Sequence, residues 1–83
     1  MHKIVFVEDD PEVGKLIAAY LGKHDIEVLI EPRGDSAQAR IEREQPDLVL
    51  LDIMLPGKDG MTLGRDLRPT FPGPIVLLTT LES

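Results

Sequence analysis

Two short apolar runs of this chain end in acids. Ile4-Val5-Phe6-Val7 leads into Glu8, Asp9 and Asp10, and Leu48-Val49-Leu50-Leu51 leads into Asp52, with a Pro56-Gly57 turn soon after. In a parallel sheet such strand ends lie side by side, so three or four carboxylates would converge on one point. Like charges held that close resist ionising together unless a cation sits among them. The set is rich in oxygen and free of sulfur, which suits Mg²⁺, a cation that prefers octahedral oxygen ligands and retains waters. A metal there would let a carboxylate accept a phosphoryl group, because it offsets charge on both the acceptor and the transferring oxygens. Thr79, a hydroxyl at the end of a fourth apolar run, would stand next door.

Those acids need a sheet to hold them, and the chain supplies the pattern of one. Strand-like and helix-like segments alternate with short connections, which predicts an α/β domain with a parallel sheet. Strands are expected over 3–7, 26–30, 47–51 and 75–78. Asp10 is placed to cap a first helix with Pro11 at its first position, and Val13, Leu16, Ile17, Tyr20 and Leu21 recur on one face of it. A second helix runs from Gly34 or Asp35 to about Glu44, with Ala37 and Ile41 as its thin apolar contact, and Pro46 stops it. A third spans about Gly60 to Arg68, with Leu63 and Leu67 one turn apart. Phe71-Pro72-Gly73-Pro74 reads as a rigid loop. If strand two lies outside strand one and strand three on its other side, the strand order reverses between strands one and three. That is where ligands bind in open α/β sheets, and there Glu8, Asp9 and Asp52 would share a pocket.

Bulk properties exclude several classes. Eighty-three residues make one small domain at most, and 42% apolar content suffices for a core. No cysteine is present, which removes disulfides, thiolate metal sites and cysteine nucleophiles together. A formal charge of −6 argues against direct nucleic acid contact. The first apolar run is too short for a signal peptide and nothing approaches membrane-spanning length, so a cytoplasmic protein without membrane contact is expected.

Each acidic element also has an ordinary explanation. Acids after a strand often cap a helix, and for Asp10 that is the better reading. Pro-Gly is usually only a turn, and a lone strand-end threonine carries little weight. The joint pattern in consecutive α/β units favours a site. His2 and His24 read as surface residues, Lys58 as a solvated loop residue, and Arg40, Arg43, Arg65 and Arg68 as solvated charge on helix exteriors. Gly57 and Gly60 form no dinucleotide fingerprint.

The sequence resembles the receiver domain of two-component response regulators. The resemblance is carried by Val7-Glu8-Asp9-Asp10, by the run from Pro46 through Asp52 to Pro56-Gly57-Lys58-Asp59-Gly60, and by Pro74-Ile75-Val76-Leu77-Leu78-Thr79. The wording is most similar to the OmpR/PhoB subfamily and its RstA-type members. The resemblance implies a flavodoxin-like (CheY-like) doubly wound sheet of strand order 2-1-3-4. It implies that Asp52 accepts a phosphoryl group from a sensor histidine kinase in an Mg²⁺-dependent reaction that controls transcription by the parent protein. Asp9 would ligate the metal directly, Glu8 partly through water, and Met54 through its backbone carbonyl. Thr79 would be the switch hydroxyl.

Against the family pattern, residues 1–83 read as the N-terminal part of a receiver domain. The fifth strand and last two helices are missing, and with them the usual dimerisation surface and the DNA-binding domain. None of the lysines at 3, 15, 23 and 58 matches the family lysine that pairs with the phosphoryl group. Weak Mg²⁺ binding with impaired phosphorylation is the expectation. The absent fifth helix would share a sheet face with the first. Without it, alternate residues of Leu48 to Leu51 and Ile75 to Leu78 lose cover, and strand four becomes an open edge that invites self-association or domain swapping. Two other readings compete with the receiver. One is a structural or interaction fragment without chemistry. The other is a phosphatase of the haloacid dehalogenase type, which would carry a second aspartate where this chain has Met54. The chain is expected not to be an enzyme.

Overall fold

A computed structural model describes residues 1–55 and 57–78 of the chain. Strand β1 (His2–Val7) leads into helix α1 (Pro11–Gly22), then β2 (Ile26–Glu31), α2 (Gly34–Glu44), β3 (Leu48–Asp52), α3 (Gly60–Leu67) and β4 (Ile75–Leu78). The strands form one parallel sheet in the order β2-β1-β3-β4, as the sequence predicts. The register pairs Ile4 with Leu48 and Val7 with Leu51.

Alternation along the strands divides the core in two. One face carries Val5, Val7, Val49 and Leu51, all fully enclosed, against Ala37 and Ile41 of α2, Leu63 and Leu67 of α3, and Phe71. The rigid loop expected at 71–74 is present, and Phe71 within it also closes the core. Its ring fills the space a Gly73 side chain would need, and Arg68 grips the same turn by donating to the Gly73 carbonyl at 2.6 Å. The other face carries Ile4 and Phe6 with α1 beside them. Gly14 lets α1 sit close to β2, since a Cβ there would meet Ile30 Cδ1 at 3.0 Å. The apolar stripe of α1 is only half used, with Leu16 70% and Tyr20 60% exposed. Val76, on the face shared with α1, is 40% exposed, and so is Leu77 on the opposite face, whose exposure the expected loss of cover does not explain.

Helix ends follow local chemistry. Asp10 accepts from the Glu12 N–H at 2.9 Å and the Val13 N–H at 3.5 Å, with Pro11 opening the helix. Gln45, not Pro46 alone, ends α2, taking the left-handed conformation (φ 46°) and donating its N–H to the Ile41 carbonyl. Asp59 caps α3 through the Thr62 N–H at 2.9 Å. Asp10→Ala is expected to cost about 1 kcal/mol of stability, seen as a lower urea midpoint, with no change in cation affinity. A loss of cation affinity would make Asp10 a ligand and not a cap.

Two surface assignments need correcting. Arg40 is not simply solvated: its NH1 donates to the Ile30 carbonyl at 3.0 Å and lies 3.7 Å from Glu31, tying α2 to β2. Lys58 is half-buried and its Nζ bonds Asp66 at 2.8 Å, fastening the β3–α3 loop to α3. Both side chains span two elements, which sequence neighbours do not reveal. His2 and His24 are exposed, as expected.

Candidate metal centre

The β1–β3 register builds the site. Val7 pairs with Leu51, so one further step brings Glu8 level with Asp52 on the face that also carries Ile4, Phe6, Leu48 and Leu50. Glu8 extends β1 by donating its N–H to the Glu31 carbonyl at 3.0 Å, so its backbone is held by the sheet. Carboxylate oxygens of Glu8, Asp9 and Asp52 then all lie within 4.8 Å of one another. Glu8 is 3% and Asp52 2% exposed, while Asp9 faces solvent. The three acids expected to converge do so.

The electrostatics match that crowding. Burial pushes the Glu8 carboxyl up to about 7, and the Asp52 carboxylate adds to the rise through a shared proton and direct repulsion. The Asp10 N–H, donating to Glu8 Oε2 at 3.2 Å, only partly offsets this. Among the described residues no Lys, Arg or His forms an ion pair with any of the three. Two enclosed carboxylates and one exposed carboxylate without a protein counter-ion form a donor set that fits a hard divalent cation.

The loop after β3 supplies the remaining contacts. The Met54 N–H donates to Asp52 Oδ1 at 3.0 Å, which fixes the rotation of that carboxylate. The Met54 side chain is 66% exposed, so the residue meets Asp52 through its backbone. Gly57 has φ 86°, as the third position of a type II turn requires. Gly60 lets α3 start hard against β3, since a Cβ there would overlap the Asp52 carbonyl oxygen and sit 2.9 Å from Ile53 Cα. Pro56 and Thr79 lie outside the described residues; Leu78, which precedes Thr79, pairs with Asp52. Sequence reasoning passed over Lys58 and Gly60 as parts of this loop's scaffold, although their place just after Asp52 was a usable signal.

No helix among the described residues is long and apolar enough to cross a membrane. Residues 4–83 match the family described as response regulator receiver domain. The chain is 72% identical over its whole length to the transcriptional regulatory protein RstA of Escherichia coli K12, of which it spans 35%. Among solved structures it resembles the BeF3-activated N-terminal receiver domain of Klebsiella pneumoniae RstA, with a TM-score of 0.92 and 78% identity, over 98% of this chain and 69% of that one. The N-terminal domain of a response regulator/sensory box/GGDEF 3-domain protein from Carboxydothermus hydrogenoformans aligns with a TM-score of 0.89 and 34% identity, over 98% of this chain and 66% of that one. With its CheY-like sheet order and paired strand-end acids, the chain belongs to the response regulator receiver domain family.

Proposed function

We propose that the chain is the part of a receiver that takes a phosphoryl group on Asp52, with Mg²⁺ held by Glu8, Asp9 and Asp52 and by the Met54 carbonyl. The observation that carries this reading is the convergence of the three carboxylates with no ion-pair partner among the described residues. The BeF3-activated state of the Klebsiella relative adds to it, because BeF3 is a chemical stand-in for a phosphoryl group. When bound, the metal offsets negative charge on the acceptor and the transferring oxygens. Asp52 supplies the nucleophilic oxygen, and the Met54 N–H holds its carboxylate in one orientation. The new O–P bond forms as the N–P bond of a donor phosphohistidine breaks, and the electron pair leaves on the imidazole, which takes up a proton. The donor is a sensor histidine kinase, the Thr79 hydroxyl reads the phosphoryl state, and the parent protein regulates transcription from the cytoplasm.

Residues 1–83 form the N-terminal part of that receiver, in keeping with the 69% coverage of the Klebsiella domain. None of the four lysines stands ready for the phosphoryl group. Lys3 pairs with Glu44, Lys58 pairs with Asp66, and Lys15 and Lys23 are exposed on or beside α1. The test is Mg²⁺ titration followed by a small phosphodonor, with intact mass as the readout. Mg²⁺-dependent gain of one phosphoryl group on Asp52 supports the reading; failure to bind Mg²⁺ at millimolar concentration overturns it.

The exposed apolar residues of β4 and α1 also support self-association or exchange of elements between copies. Sedimentation across a concentration series is expected to show species larger than the monomer. A single monomeric boundary at the highest concentration refutes this.

A further inference from the structure

We infer that the start of α2, Gly34 with the Arg33–Asp35 pair, is a positioning element for the acidic site. It sets the path of the β3–α3 loop and so the placement of Met54 against Asp52. This rests on the magnesium and phosphoryl reading above, and concerns residues that reading does not use.

Gly34 is buried where α2 begins, and a Cβ built on it would overlap the Lys58 carbonyl oxygen. The same Cβ would stand 3.1 Å from Lys58 C and 3.3 Å from Lys58 N. These are backbone atoms, which cannot turn aside as the end of a side chain can. Either α2 or the loop must move to admit a methyl group. Beside this contact, Arg33 holds Asp35 through two bonds, Nε to Oδ1 at 2.8 Å and NH2 to Oδ2 at 2.7 Å. The pair lies against Gly57, whose own Cβ would meet Asp35 Cγ at 3.1 Å and Arg33 NH2 at 3.3 Å. One surface of α2 thus bears on two successive loop residues.

Several described residues of the loop are held in place by other contacts. Gly60 is seated on the Asp52 and Ile53 backbone and donates its N–H to the Ile53 carbonyl at 3.0 Å. Lys58 is tied to Asp66, and Asp59 is engaged in capping α3. A shift of Lys58 away from Gly34 therefore runs back along the chain toward Met54, whose N–H orients the Asp52 carboxylate. Supports of this kind around a metal site typically govern about 10-fold or more in affinity.

The test uses the 83-residue chain with Gly34→Ala, with Arg33→Gln as a gentler variant, and with Ile41→Val as a control that thins the core on the same helix. Two quantities are read: the amide shift and exchange rate of Met54 without metal, and the Mg²⁺ dissociation constant by calorimetry. Gly34→Ala is expected to move the Met54 amide and weaken Mg²⁺ by about 10-fold, with Arg33→Gln changing both in the same direction by less. Ile41→Val is expected to lower the unfolding midpoint and leave both quantities unchanged. If Gly34→Ala does not fold, Arg33→Gln decides alone. The inference is overturned if the variants that fold keep both quantities within about twofold of the parent, well short of the effect expected of such supports. It is equally overturned if Ile41→Val moves Met54 as much as they do. If the parent binds no Mg²⁺, the functional reading falls, while the metal-free Met54 signal still decides this inference.

Discussion

Asp52→Asn is expected to abolish phosphoryl uptake from a small phosphodonor while leaving the fold intact. The amide keeps the size of the carboxylate, and its oxygen can still accept the Met54 N–H that Asp52 Oδ1 accepts at 3.0 Å. What it loses is the charge and nucleophilicity of the second oxygen. Asn also relieves the repulsion between Asp52 and Glu8, so the metal-free variant should be no less stable than the parent. Intact mass after incubation with Mg²⁺ and phosphodonor is the measurement. A variant that still gains one phosphoryl group would place the acceptor elsewhere and sink the assignment.

A second large effect follows from Glu8. Its carboxyl is held at about 7 in the folded chain against 4.5 when unperturbed, chiefly by burial and then by Asp52. Between those values the folded state binds a proton that the unfolded state has lost, so unfolding free energy falls as pH rises. This stabilisation is fully present below 4.5 and gone above about 7. The site is open to solvent on its Asp9 side, so screening trims the contribution to about 1–2 kcal/mol. Asp35, held low by Arg33, and Asp59, held low by the Thr62 N–H and hydroxyl, act the other way, but only below the ordinary aspartate value of 3.8. Urea midpoints of the metal-free chain should therefore peak between about pH 4 and pH 5 and decline toward neutrality. If Glu8 holds the proposed Mg²⁺, the ion should reverse the decline, because it requires ionised Glu8, and its affinity should fall about tenfold for each pH unit below 7. Glu8→Gln should flatten the metal-free profile across that window and weaken Mg²⁺. A profile unchanged by Glu8→Gln would show that another group titrates there.

The strands, the three acids and the cap at Asp10 were legible in the sequence because each rests on a local signal, whereas the strand order came from the family resemblance. Apolar runs marked the strands, and acids at their ends marked the site. The boundaries slipped by a residue where pairing decides them: β3 runs to Asp52 because Asp52 pairs with Leu78. Phe71 was read as loop because one apolar residue between a helix and a Pro-Gly-Pro turn has no periodicity, yet its ring closes the core. Arg40 and Lys58 looked solvated because their partners come from other elements. Tyr20 and Leu16 erred the other way: a helical stripe shows which face is apolar, and only packing shows whether that face is covered. The close fit of Gly34 against Lys58 was invisible for the same reason, since a glycine next to a helix start is read first as a cap.

The register between β1 and β3 has a further meaning in time. Glu8 and Asp9 emerge from the ribosome with the first strand, but the strand that carries Asp52 follows only after β2 and α2 have been synthesised. A nascent chain that has reached α2 can pair β1 on one side alone, and in it the acids of β1 have no third carboxylate beside them. The cluster comes into being when β3 docks, which closes the centre of the sheet through contacts distant in sequence and slow to form. A divalent cation held by all three acids would bind only chains that have completed this docking, and would shift the balance toward them by mass action. Cation occupancy during synthesis would act as a clock, marking the moment at which the chain becomes a sheet.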